Sequence, residues 1–173
     1  MAHIAVLVDD YFEDVEFTAP VKAFREAGHQ VTVLGLKKGS HVKGKREKTS
    51  VEIQAQVADS DPSMFDALLI PGGYSPDRLR AHEEPVNFAA SFMQSGKPVL
   101  AICHAPQILI TAKVLSGKKV TGYKSIRQDI ENAGARFVNE SVVEDENLIS
   151  SRGPKDMADF IKAGLEKLDS IKA

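Results

Sequence analysis

The sequence predicts an α/β domain built on a mostly parallel sheet with flanking helices. Two observations carry that prediction. Short apolar runs alternate with helical patterns along the chain. Several of those runs end abruptly at turn-forming or reactive residues, as buried strands do when they reach a sheet edge. His3–Val8 reads as the first strand, followed by a helix from about Phe12 to Ala27 that Gly28 closes. Gln30–Leu36 reads as the second strand, and Val51–Val57 alternates as an antiparallel edge element would. Ala67–Ile70 is a buried strand ended by Pro71-Gly72-Gly73. Val86–Met93 is helical, and Pro98–Ile102 is a central strand that stops at Cys103. Gln107–Leu115 and Ser125–Ala133 are helical, the latter ended by Gly134. Ala135–Val138, Val142–Val143 and Leu148–Ser151 are short strands, and a last helix opens at Pro154, a residue suited to a first helical turn. With no repeat and no linker, residues 1–173 are expected to form one domain.

The composition narrows the function classes. A 43% hydrophobic and 27% charged chain with net charge −2 is ordinary for a soluble globular protein and gives no reason to expect nucleic acid or a membrane as partner. The apolar run Ile4–Val8 is too short for a signal peptide, and nothing approaches the ~18 apolar residues of a membrane span. A single cysteine cannot form an internal disulfide, which fits a cytoplasmic location. Lys37, Lys38, Lys43, Lys45, Arg46 and Lys48 crowd one segment, which reads as a solvated, mobile loop lacking the interleaved aromatics of a polyanion site. The five histidines are scattered, so no metal or other cofactor is expected.

The candidate chemistry centres on Cys103. Free cysteines are often buried and inert, but this one sits at a strand end, where open α/β sheets bind ligands. The strand–turn–helix context is the cysteine counterpart of a nucleophile elbow. Only the thiolate is a useful nucleophile, and a helix N-terminus or a nearby imidazolium lowers a thiol pKa. His104 is adjacent, either as a partner of the sulfur or as a turn histidine, and its amide has the position of an oxyanion donor. Gly73 closes another strand and could supply a second donor. Glu16 falls on the stripe expected from Phe12, Val15, Ala19 and Ala23, so its carboxyl should face the sheet. Such burial raises a carboxyl pKa and suits a general acid, unless the group escapes at the helix edge. Glu13 reads equally as a site residue or, with Asp10, as part of a helix-start capping pattern. Pro20 removes the N–H that would bond the Glu16 carbonyl, so the helix should kink or start irregularly there.

Together, Asp10-Tyr11-Phe12-Glu13-Asp14-Val15-Glu16, Pro71-Gly72-Gly73, Ala101-Ile102-Cys103-His104-Ala105-Pro106 and Ser150-Ser151-Arg152-Gly153-Pro154 closely resemble the PfpI family. That family lies in the superfamily of the human parkinsonism-associated deglycase, related to class I glutamine amidotransferases. The resemblance implies a flavodoxin-like three-layer sandwich, a homodimer or higher homo-oligomer, and a cofactor-independent cysteine site. By position, Cys103 matches the nucleophile, His104 the adjacent histidine, and the Gly73 and His104 amides the oxyanion donors. Glu16 matches the acid at the thiol, Glu13 a second acid, and Tyr123 a proposed proton shuttle. Asp77 stands where peptidase-like relatives carry a longer glutamate that completes a triad from a neighbouring subunit. Ala105 replaces the usual glycine, and Gly44-Lys45-Arg46-Glu47 lacks the His-Gly that often follows Gly-Lys. The expected function is a glyoxalase- or deglycase-type enzyme acting on dicarbonyls or early glycation adducts of proteins. The alternatives are an intracellular cysteine peptidase and a non-enzymatic redox-responsive chaperone or stress sensor with an exposed, low-pKa thiol.

Overall fold

The computed structural model describes residues 1–171; the last two positions of the expected domain lie outside the described residues. In chain order the elements are β1 (His3–Leu7), α1 (Asp14–Glu26), β2 (Gln30–Gly35), β3 (His41–Lys43), β4 (Ser50–Glu52), β5 (Ala55–Gln56) and β6 (Ala67–Ile70). There follow α2 (Ser75–Leu79), α3 (Glu83–Ser95), β7 (Val99–Ile102), α4 (Pro106–Thr111), β8 (Lys119–Val120) and α5 (Arg127–Asn132). The chain continues through β9 (Arg136–Phe137), β10 (Val143–Asp145), β11 (Leu148–Ser151) and α6 (Met157–Ser170), with short 3-10 turns that include Lys124–Ile126 and Pro154–Asp156.

Seven strands form the main sheet in the order β10-β11-β7-β6-β1-β2-β5, parallel except for the β10–β11 pair. The central strands β1, β6 and β7 are almost wholly apolar because both faces are covered, and their period of two sorts the side chains between layers. Ile4 and Val6 pack with Phe17 and Phe24 of α1 and Phe160 of α6. Ala5 and Leu7 face the opposite cluster, which holds Phe88 and Phe92 of α3, Ile108 of α4 and Ile130 of α5. The result is the three-layer sandwich. From β1 the chain steps to β2 on one side, whereas β6 steps to β7 on the other, so the strand order reverses between β1 and β6. The crevice at the carboxyl ends of such a reversal is where this architecture binds ligands.

Several sequence expectations shift. Helix α1 starts at Asp14, because Phe12 is drawn into bridges with Gly44 and Gly73. The expected capping pattern does not form: the Asp10 carboxylate accepts the Lys43 N–H instead (2.9 Å), and Glu13 makes no side-chain cap. The buried face of α1 is Glu16, Phe17, Pro20, Val21 and Phe24, while Val15, placed on the stripe by periodicity, is 40% exposed. The helix is continuous across Pro20. Val51–Val57 divides between β4, antiparallel to β3, and β5, parallel to β2. Helix α4 ends at Thr111, short of Leu115, and Lys113 then turns into the left-handed region at φ 60°. Among the described residues no helix is long and apolar enough to cross a membrane.

Candidate active site

Cys103 occupies the turn between β7 and α4 at φ 64°, a left-handed conformation that costs a non-glycine residue roughly 1–2 kcal/mol. Backbone bonds impose it. The Cys103 N–H donates to the Ser151 carbonyl (3.0 Å), its carbonyl accepts the Tyr123 N–H (2.8 Å), and Ala105 N–H closes back onto Ile102 (3.0 Å). The side chain is 7% exposed.

Glu16 reaches this turn from the first turn of α1 and is wholly buried. Its Oε1 accepts the Gly72 N–H at 2.8 Å. The carboxyl also interacts with the Cys103 thiol, and Oε2 is buried without a geometric hydrogen bond among the described residues. Burial, opposed by the Gly72 bond and reinforced by the Glu13 charge, raises the Glu16 carboxyl to about 8. Glu16 is therefore protonated at neutral pH. Burial, followed by the Glu16 charge, pushes the Cys103 thiol up to about 12. The N–H groups of Gly73 and His104 both donate to the sulfur and work in the opposite direction. The exposed, low-pKa thiol that the redox-sensor alternative supposes is thus corrected: the resting cysteine is buried and protonated, beside an acid that is protonated too.

His104 Nδ1 lies 3.2 Å from the Cys103 sulfur, and its Nε2 lies 3.2 Å from Ser125 Oγ. Burial first, then the Lys45 ammonium, hold His104 below its ordinary value. It is a neutral imidazole rather than the imidazolium that would have lowered the thiol. With the thiol protonated, the tautomer that carries its proton on Nε2 lets Nε2–H donate to Ser125 and Nδ1 accept from the thiol. Tyr123 stacks on the imidazole with ring centroids 5.0 Å apart. Gly73 adopts φ 76° against the chain at residues 11–13, where a Cβ would lie 2.5 Å from Glu13 N and from the Tyr11 carbonyl oxygen. Only glycine brings this amide so close to the sulfur.

Glu13 is buried and held by Arg46, with Nε to Oε2 at 3.1 Å and Nη2 to Oε1 at 3.2 Å; Lys45 stands 3.8 Å from Oε1. The segment expected to be a solvated loop is therefore the β3–β4 ribbon, and its turn clamps the start of α1. Arg46 N–H also donates to Asp14 Oδ1 (3.0 Å). Lys45 acts on Glu16, Cys103 and His104 together. Neither Lys45, Arg46 nor Ser125 stood out as a site residue in the sequence. Lys45 and Arg46 lie about thirty residues from the acids they meet, and they were marked by a basic run and by a loop that departs from the family pattern, neither of which pointed to those acids. Asp77 lies on α2, mostly exposed and paired with Arg80 (3.0 Å). Within one chain its influence on His104 is electrostatic, without direct contact. Among the described residues no three His, Cys, Asp or Glu side chains cluster to hold a metal ion.

The model of the DJ-1/PfpI family matches residues 2–167. The chain belongs to the DJ-1/PfpI family. General stress protein 18 of Bacillus subtilis (strain 168) is 52% identical over 167 residues, covering 96% of this chain and 97% of that one. Protein/nucleic acid deglycase 2 of Escherichia coli (strain K12) is 48% identical over 166 residues, covering 95% and 96%. A two-domain protein of Anabaena variabilis containing dj-1/thij/pfpi-like and ferritin-like domains superposes with TM-score 0.96 at 40% identity. That match covers 98% of this chain and 48% of the Anabaena chain.

Proposed function

We propose that this DJ-1/PfpI protein is a cofactor-independent enzyme that converts 2-oxoaldehydes, and early glycation adducts derived from them, into 2-hydroxy acids through a Cys103 hemithioacetal. The observation that carries the reading is the contact between a buried, protonated Glu16 and the Cys103 thiol beneath the Gly73 and His104 amides. A stress-protein name and a deglycase name among the relatives agree with it.

The sulfur adds to the aldehyde carbon while neutral His104 takes the thiol proton at Nδ1 and passes it to the new oxygen. The two amides hold that oxygen while it is charged. Glu16 then donates its proton to the adjacent ketone oxygen, and the resulting carboxylate removes the proton on the former aldehyde carbon to give an enediol. Returning that proton to the neighbouring carbon, and taking one from the hydroxyl beside sulfur, leaves a 2-hydroxy thioester and restores protonated Glu16. Water cleaves the thioester, releasing the hydroxy acid and the thiol. An early adduct enters the same path when the sulfur displaces its amine from the hemiaminal carbon, the C–N bond breaking and the amine leaving with the thiol proton; each step then balances without an external oxidant or reductant.

The test is turnover of methylglyoxal to lactate by purified protein, with buffer-only controls. Cys103→Ser should abolish it. Undiminished lactate formation by Cys103→Ser would overturn the reading, and Cys103-dependent cleavage of a peptide panel without lactate would replace it with a peptidase.

A further inference from the structure

A cleft of about 500 Å³ opens beside Tyr123, one of the residues that hold the Cys103 turn. The volume suits a small organic ligand. It adjoins the reactive centre directly: Tyr123 lines it, stacks on His104, and bonds the Cys103 carbonyl through its N–H. The rest of the lining is unlike the Cys103 turn. Lys124, Arg127, Arg152 and Lys155 all contribute, and no carboxylate does.

We propose that this cleft seats a phosphate group, so that the preferred substrates are 2-oxoaldehydes or aldehyde adducts that carry a phosphate. The proposal rests on the Cys103 reading for the chemistry, but the cleft's ligand follows from its own residues. The nearby acids are already engaged. Asp156 takes Arg152 Nε and Nη2 at 2.9 and 3.0 Å, and Glu131 takes Arg127 at 3.5 Å. Arg152 Nη1 donates to Asn139 (3.1 Å), which fixes the guanidinium and leaves one N–H on each terminal nitrogen unused. The Arg127–Glu131 pair is half-exposed and weak, so a dianion can compete for it. Lys124 and Lys155 form no salt bridge among the described residues, and they supply the uncompensated charge. Fixed donors and mobile ammonium groups favour a compact dianion over a single carboxylate.

The test uses the full-length protein. Inorganic phosphate is titrated while backbone amide NMR shifts are followed, and kinetics are then compared with and without substrate phosphate. Phosphate should shift the amides of Gly122, Tyr123, Lys124, Gly153 and Lys155 saturably. Lys124→Gln/Lys155→Gln should weaken binding about tenfold or more, and the double Arg variant should restore it. Two substrate pairs identify the source of the phosphate. Faster kcat/KM for the methylglyoxal adduct of guanosine 5′-monophosphate than of guanosine selects nucleotides. Faster kcat/KM for hydroxypyruvaldehyde phosphate than for methylglyoxal selects phosphorylated small aldehydes. No saturable shift at these amides, unchanged binding in the Gln variant, or no phosphate preference in either pair overturns the proposal. Loss of the cleft with Cys103-dependent turnover intact leaves the enzyme reading standing. Phosphate binding with turnover that survives Cys103→Ser removes the enzyme reading and leaves the cleft as a phosphate site.

Discussion

Glu16 is neutral in the folded protein at pH values where it would be ionised in the unfolded chain. Between its ordinary value of 4.5 and about 8, the folded state therefore holds the extra proton, and stability falls as pH rises through that window. The total loss is at most about 5 kcal/mol. Glu16→Gln removes the titrating group, so its urea midpoint should gain on wild type steadily from pH 5 to 8; parallel curves would show that Glu16 is ionised when buried. The same substitution should cut methylglyoxal kcat by about 10²–10⁴. In wild type, kcat/KM should decline above pH 8 as the acid is lost. Glu16 was legible in the sequence through a stripe that was itself misplaced: Val15 faces solvent and Phe17 takes the sheet. The acid is buried all the same because it lies beside Phe17 and one turn before Pro20 and Val21. The protonation of Cys103 was not legible, because it depends on Glu16 and on how deeply the turn is buried, neither of which is local in sequence.

Gly72 shows how the carboxyl ends of β6 and β7 are fitted to the end of β1. A Cβ there would lie 2.5 Å from Glu16 Oε1, 2.7 Å from Cys103 Cβ and 2.8 Å from the Ile102 oxygen. Gly72→Ala must therefore part the acid from the thiol. It should lower kcat/KM about tenfold or more and destabilise by roughly 1–3 kcal/mol, read from turnover and urea midpoints. A Gly72→Ala variant as active and as stable as wild type would mean that the Glu16–Cys103 contact does not govern the reaction. At this scale the parallel strands were readable because each is a short apolar run buried on both faces. Helix α2 and strand β8 were too short for periodicity to separate them from turns. Strand β3 and the turn that follows it escaped because their charge resembles that of a free loop, and the carboxylates that organise them lie at the head of α1.

The molecule as a whole is held by two apolar layers, and the one beneath α1 and α6 supports the acid. Phe24 is fully buried where α1 meets Gly164 of α6; a Cβ on that glycine would already touch Phe24 Cζ at 3.4 Å. Phe24→Ala should cost about 3–5 kcal/mol. The melting temperature should fall by roughly 2–4 °C per kcal/mol, while turnover per folded molecule stays near wild type. A matching collapse of turnover in the folded fraction would tie this layer to the chemistry. The left-handed turn at Cys103 has an evolutionary consequence. A glycine would adopt φ 64° without strain, so the backbone itself never asks for a thiol there. A lineage that abandoned the reaction would meet no conformational barrier to losing the side chain, and drift would run toward the smaller residue. A cysteine kept in that posture is a mark of continuing use.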